Sequence, residues 1–262
     1  LLIALASLVL GMGLPVTAAY IVLGTLSAPA LHGLISDGLL VDALVNGQIP
    51  ETAKAIFMIA APDKLAEIGN PMSTAAARAI IDAVPIDMAS MVREAVLSEH
   101  TLTFALLSAH LIIFWLSQDS NVTPPVALAA FTGAAIAGTK PMETGFQSWK
   151  MAKGLYVVPL LFAYTPFIGG SWAEDFTIFF FALFGLYAFA AALQGFMETR
   201  LNPLLRLLVL GTAAALLWPT TLIVHTAGLI VLLIIFVLNW RSGQRKPLDH
   251  DEEKIDGPAF EG

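Results

Sequence analysis

Between residues 117 and 125 the chain reads Ser-Gln-Asp-Ser-Asn-Val-Thr-Pro-Pro, a polar cluster set inside an otherwise apolar run. Asp119, Ser120, Asn121 and Thr123 supply carboxylate, hydroxyl and amide oxygens, the donors that a hard cation such as Na+ prefers. Asp119, Ser120 and Thr123 are the Na+ candidates. Pro124 and Pro125 lack amide hydrogens and clash with the preceding turn, so a helix breaks here and leaves carbonyls without intrahelical partners. Inside hydrocarbon such a break survives only when buried in protein or lining a water-filled cavity. Many secondary transporters bind there, because half-helix N-termini attract anions while unwound carbonyls hold cations. An ionisable side chain at mid-membrane depth costs about 2.5–3.5 kcal/mol on insertion scales, so Asp119 marks an ion, proton or substrate path. The alternative role for Asp119 is to cap the broken helix by accepting amide hydrogens.

A second constellation opens the chain. Gly11-Met12-Gly13-Leu14-Pro15 separates the apolar arms Leu1–Leu10 and Val16–Leu31, each short for a membrane span. Gly11 and Gly13 permit unusual backbone angles and Pro15 suits the first turn of a new helix, so the pentapeptide reads as a reversal between helical arms. One kinked helix is the alternative, since Pro and Gly are tolerated inside membrane helices. Thr17 adds an oxygen just beyond the tip, and the glycines could bring backbone groups close to a ligand. His110 and His225 lie in apolar spans, where a lone histidine more often bonds a neighbouring helix than a ligand. The sequence contains no His/Asp/Glu cluster with metal-ligand spacing, no Gly-x-Ser-x-Gly elbow, no His-Glu-x-x-His and no phosphate-binding Gly-rich Lys loop. ATP hydrolysis and intramembrane proteolysis lack their residues, and the reading is of a non-enzyme without a cofactor, Na+ being a coupling ion.

Composition sets the environment of these residues. Of 262 residues, 57% are hydrophobic and 13% charged, against about 25% charged in a soluble domain, and the mean hydropathy is +0.79. This is a membrane protein. The net charge of −7 gives no basic footprint for nucleic acid. There is no cysteine, hence no disulfide or thiolate site. The chain begins without Met and with no charged n-region, which suggests a C-terminal piece of a longer polypeptide rather than a signal peptide.

The elements that must position the candidate residues follow from hydropathy and charge. Residues 1–35 are the re-entrant hairpin. Residues 36–100 carry scattered charges and four prolines, Pro50, Pro62, Pro71 and Pro85, around amphipathic stretches at Ala75–Val84 and Ile86–Leu97; they read as a helical cap outside the bilayer core, lying against the membrane domain. Residues 101–138 form the interrupted transmembrane helix. Residues 139–154, with Lys140, Lys150 and Lys153 around Phe146 and Trp149, suit an interfacial helix. Spans follow within 155–240, at Leu155–Ile168, Phe176–Phe196, Leu204–Trp218 and Thr221–Trp240, and 241–262 is a charged tail. The basic loops at Lys140–Lys153 and Arg200–Arg206 and the start of the tail belong on the cytoplasmic side, which puts the cap and the hairpin mouth outside and the C-terminus in the cytoplasm.

Two stretches together reach a family. Gly11-Met12-Gly13-Leu14-Pro15-Val16-Thr17-Ala18-Ala19-Tyr20, then Val122-Thr123-Pro124-Pro125-Val126-Ala127-Leu128-Ala129-Ala130-Phe131 with Ala135-Ile136-Ala137-Gly138, resemble the second-repeat signatures of the large membrane subunit of TRAP (tripartite ATP-independent periplasmic) transporters. Tyr164-Thr165-Pro166 and the extra C-terminal spans resemble the fused permease that works with a TAXI-type periplasmic solute-binding protein. The resemblance implies an all-α membrane protein of the bacterial inner membrane, carrying the second repeat of an elevator-type transporter plus additional C-terminal transmembrane helices. It implies Na+-coupled import of organic acids such as dicarboxylates, with Gly11, Gly13, Thr17, Asp119, Ser120, Asn121, Thr123, Pro124 and Pro125 around substrate and ion. Membrane lipid, the first repeat and the small-subunit region are then partners. The segment 36–100 departs from relatives, which use a short link there. A non-transporting membrane scaffold or assembly subunit is the competing reading, and it has no need of Asp119 beside a double-proline break.

Overall fold

The computed structural model describes residues 2–244, so the tail expected at 241–262 lies almost wholly outside the described residues. The regular structure among them is helical, apart from an isolated bridge between Phe196 and Arg200. Four helical stretches are long and apolar enough to cross a membrane: Ala28–Val45, Glu99–Asn121, Trp172–Gln194 and Leu222–Ser242. Large apolar side chains stay exposed along them, for example Leu183 at 56%, Ile223 at 79% and Leu238 at 61%. Apolar faces of that extent suit lipid rather than water. The protein is an all-α, multi-pass membrane protein. It divides into two compact units, Leu1–Phe180 and Phe181–Gly262.

The first unit opens with α1 (Leu2–Gly13) and α2 (Val16–Leu26), joined through Leu14 and Pro15 and packed on each other. Gly11 and Gly13 fall in the last turn of α1 and neither has positive φ, so the reversal does not use the conformational freedom expected of them. Pro15 stands one residue before α2, where its carbonyl accepts the Ala19 amide at 2.9 Å. Helical bonding continues past α2, from Ser27 N to Leu23 O at 2.7 Å and from Leu31 N to Ser27 O at 2.9 Å. Pro29, which has no amide hydrogen, stands in the first turn of α3 (Ala28–Val45), where a proline is tolerated. The helix therefore runs through residue 35, where the change in composition suggested a boundary.

The cap is built on the far half of α3. Helices α4 (Glu51–Ala60), α5 (Thr74–Ala83) and α6 (Ala89–Val96), with a 3-10 turn at Pro62–Glu67, enclose Phe57, Ile80 and Val92 against Leu40 and Leu44 of α3, each 2% exposed or less. Ser73 starts α5 by accepting the Ala76 amide on its hydroxyl at 3.2 Å, satisfying a donor that the first turn leaves open. Two stretches expected from amphipathicity, 75–84 and 86–97, correspond to α5 and α6 within a few residues.

The interrupted helix comprises α7 (Glu99–Ser117), a 3-10 turn at Gln118–Asn121, an irregular link through Ala127, and α8 (Leu128–Ala137). Next come α9 (Pro141–Met151), a 3-10 turn at Ala152–Tyr156 and α10 (Val158–Tyr164). These retrace the interrupted helix in reverse. Gly145 lies on Phe131 and Pro124, Tyr156 meets Asp119, Phe162 packs on Trp115, and Gly169 sits on Phe104. As one number rises the other falls, so two broken helices run antiparallel, break against break. Two expectations change accordingly. The segment 139–154 is a packed partner of α8 as well as an amphipathic helix, and the run 155–168, read as a span, holds only a seven-residue helix, with Pro159 in its first turn and Pro166 just beyond its end.

In the second unit the remainder of α11 (Trp172–Gln194) packs with α12 (Pro203–Leu217) and α13 (Leu222–Gln244). Ala188, Val209, Ala213 and Leu232 are at its centre. The α11–α12 connection is held by Asn239 of α13, which is 5% exposed. Its Oδ1 accepts the amides of Glu198 and Thr199 at 3.0 and 2.9 Å, and its Nδ2 donates to Thr199 Oγ1 at 2.8 Å. Arg206 donates to the carbonyls of Ala192 and Leu193 at the C-terminal end of α11, where a cation also suits the helix dipole.

Candidate ion and substrate site

The break in the interrupted helix buries a carboxylate. Asp119 is 1% exposed, Ser120 0%, Thr123 4% and Ser117 0%. After α7 the chain tightens into 3-10 geometry, and the Asp119 carbonyl accepts the amides of Val122 at 3.1 Å and Thr123 at 2.9 Å. Pro124 and Pro125 cannot donate to the carbonyls four residues earlier, those of Ser120 and Asn121, so these two oxygens are freed from the helical pattern. The peptide between the prolines is cis, and Ala127 enters α8 in the left-handed region at φ 38°.

The side chain of Asp119 is held from one edge. Thr123 Oγ1 donates to Oδ1 at 2.7 Å and the Tyr156 hydroxyl donates to the same oxygen at 2.6 Å. Oδ2 is buried and has no hydrogen-bond partner among the described residues. The carboxylate thus takes hydroxyl hydrogens rather than the amide hydrogens of a helix cap. A buried charged oxygen without a partner carries a large desolvation cost, and a cation or proton at Oδ2 would offset it.

Around this group the predicted residues divide. Gly11 is brought to it: a Cβ there would stand 3.1 Å from the Leu116 carbonyl oxygen and 4.0 Å from the Asp119 Cβ. The glycine permits close approach of α1 to the end of α7, a reason different from backbone freedom. Gly13 and Thr17 are exposed, and a Cβ at Gly13 would meet nothing within 4 Å. Ser120 turns its hydroxyl back to the Ser117 carbonyl at 3.2 Å, and half-buried Asn121 donates to Gln118 Oε1 at 3.2 Å. Pro124 is half-buried against Gly145, whereas Pro125 is exposed. Among the Na+ candidates, Asp119 and Thr123 are joined directly, while Ser120 shares their turn.

Tyr156 is the site residue that sequence reasoning did not single out. It stands at the end of the 3-10 turn opposite the break, and its hydroxyl in turn accepts from Trp149 Nε1 of α9 at 3.0 Å. Lys153 Nζ lies 5.7 Å from the centre of the Trp149 ring, a cation–π distance. The two histidines serve the scaffold: His110 Nδ1 shares a 3.2 Å hydrogen bond with the Tyr20 hydroxyl of α2, and His225 Nε2 one of 3.0 Å with the Trp218 carbonyl.

Comparison with known proteins fits this arrangement. The family model described as tripartite ATP-independent periplasmic transporter, DctM component, matches residues 1–168, which takes in the hairpin, the cap and both broken helices. No curated protein and no solved structure matches the chain. Because that match covers well over half of the sequence, the chain belongs to the DctM-component family of tripartite ATP-independent periplasmic transporters.

Proposed function

We propose that this membrane component of a TRAP transporter carries half of a site for Na+ and an organic acid, and that uptake is driven by Na+ symport. The observation that carries the reading is Asp119, buried at a helix break with Oδ1 satisfied and Oδ2 without a partner among the described residues. A buried unpaired charge is kept where a ligand completes it. Na+ takes the oxygen-rich side, from Asp119 Oδ2, Thr123, Ser120 and the carbonyls freed by Pro124 and Pro125. The substrate carboxylate takes backbone amides at the hairpin tip and the break, with Gly11, Gly13, Thr17 and Asn121 on its side. With the cation offsetting repulsion between the anion and Asp119, each ligand strengthens the other by about 1–3 kcal/mol, the usual size of such coupling.

On this reading the substrate arrives on a periplasmic solute-binding protein of the TAXI type, and a small membrane subunit or its fused equivalent completes the carrier. The protein resides in the bacterial inner membrane, with the acidic cap outside and the basic loops and C-terminus in the cytoplasm. The experiment is Na+-dependent uptake of a carboxylate panel by the assembled transporter with its binding protein in proteoliposomes. Asp119→Ala or Thr123→Val raises the Na+ concentration for half-maximal uptake. Unchanged Na+ dependence in both variants, or equal uptake without Na+, overturns the assignment.

A further inference from the structure

We infer that Tyr156 is a positioning residue for the ion site, and that Trp149 latches it there, so that the second broken helix sets the orientation of the Asp119 carboxylate on the first. The inference rests on the Na+ reading above and adds to it a residue outside the polar break and the hairpin tip.

The geometry is a chain of donors ending on one oxygen. Trp149 Nε1 donates to the Tyr156 hydroxyl at 3.0 Å, and that hydroxyl donates to Asp119 Oδ1 at 2.6 Å. An indole N–H can only donate, so Trp149 leaves the hydroxyl its own hydrogen to spend on the carboxylate. The phenol oxygen accepts on one side and donates on the other, and hydrogen bonds in such a chain polarise one another. A bond to an ionised acceptor is also shorter and stronger than a neutral one. Thr123 reaches the same oxygen from within the break, at 2.7 Å. Two donors on Oδ1 fix the rotation of the carboxyl group and leave Oδ2, buried and without a partner among the described residues, as the oxygen that faces a ligand. A carboxylate fixed in this way does not lose rotational freedom when the cation arrives, and that preorganisation is affinity.

Thr123 alone cannot do this, because it belongs to the same short turn as Asp119 and moves with it. Tyr156 comes from the antiparallel partner, itself seated by Gly145, where a Cβ would be only 3.0 Å from Phe131 and Pro124. Displacement of α9 therefore turns the carboxylate. Partners that hold a metal-ligating group in orientation typically carry about 10–100-fold in metal affinity, and the lower end suits a monovalent ion.

Binding of radioactive Na+ to the purified, assembled transporter without organic substrate tests this. Tyr156→Phe keeps the ring and removes only the donor; the expected result is an apparent Kd for Na+ raised about tenfold, with unchanged thermal stability and an unchanged number of sites. Trp149→Phe, which leaves the Tyr156 hydroxyl in place, raises it by a smaller factor. In an Asp119→Asn background, Tyr156→Phe has no further effect. Tyr20→Phe, which removes a different interhelical hydroxyl, the one from α2 to His110 of α7, leaves Na+ binding as it is. If Asp119→Asn changes Na+ binding while neither Tyr156→Phe nor Trp149→Phe does, the positioning role is overturned and the ion site stands. If Asp119→Asn itself leaves Na+ binding unchanged, both fall. Should Tyr156→Phe not fold, Trp149→Phe decides: a raised Kd supports the latch, and a wild-type Kd overturns it.

Discussion

Arg93 of the cap grips Asp37 of α3 with both edges of its guanidinium, Nε to Oδ1 at 2.8 Å and Nη2 to Oδ2 at 3.0 Å. The pair is 56 residues apart in sequence and about one-quarter exposed, with side-chain exposures of 21% and 30%. Gly33, one turn earlier, lies under the guanidinium, which a Cβ there would approach to 3.4 Å. The contact ties the cap to the helix on which its core is built. Arg93→Ala is expected to cost about 1 kcal/mol, a bidentate pair being worth more than a loose one yet screened by partial exposure. Limited proteolysis within 46–98 should speed up while membrane insertion is unaffected, and Arg93→Lys, which cannot make the fork, should not restore protection.

That ion pair also shows why the sequence suggests a boundary at residue 35 that α3 runs through. Asp37 reads as departure from the membrane, because its partner Arg93 lies 56 residues on and is invisible at short range. The polar break was legible because Asp119 and the proline pair stand out by residue type inside an apolar run. Tyr156 was not: a tyrosine at the start of an apolar span reads as an interface aromatic, and its bond to Asp119 crosses 37 residues without periodicity. Gly145 likewise gives no local sign that α9 packs on α8, and the lysines around it read as a surface helix. Helix type and the two cap helices came from amphipathicity and prolines, which are local properties. Antiparallel pairing of two broken helices is a tertiary one.

Asn239 offers a test of the second unit on its own. One buried amide satisfies the Glu198 and Thr199 amides and the Thr199 hydroxyl. Asn239→Leu leaves two backbone donors without an acceptor, and a total loss of about 1–3 kcal/mol is expected, since polar contacts in membrane proteins measure at the low end. Thermal unfolding in detergent reads it. Thr199→Val removes one bond only and should shift the midpoint less.

The orientation has a clean assay because the chain has no cysteine of its own. Ile86 in the cap is 94% exposed and Met142 at the start of α9 is 49% exposed. By the distribution of Lys and Arg, Ile86→Cys should react with an impermeant maleimide on intact cells or spheroplasts, and Met142→Cys only after permeabilisation. Labelling of both from the same side would overturn the placement of the cap and the basic loops on opposite faces of the membrane.

The paired glycines of α1 separate close approach from flexibility. Both lie in the helix without positive φ, so alanine at either position gains up to about 1 kcal/mol of helix propensity. At Gly13 a Cβ meets open space, and Gly13→Ala should leave stability equal or slightly higher and Na+ binding unchanged. At Gly11 it would stand 3.1 Å from the Leu116 carbonyl oxygen, a backbone atom that cannot swing aside as a side chain can. Either α1 withdraws from the break or the 118–121 turn shifts, and both move Asp119 relative to the hairpin. Gly11→Ala should therefore lose the propensity gain to the contact, and weaken Na+ binding several-fold, because ligand groups held within a fraction of an ångström are what the site is made of. Parallel thermal melts and Na+ titrations of the two variants decide the matter. Equal behaviour of the pair would show that α1 need not sit against Leu116 and Asp119 for the ion to bind.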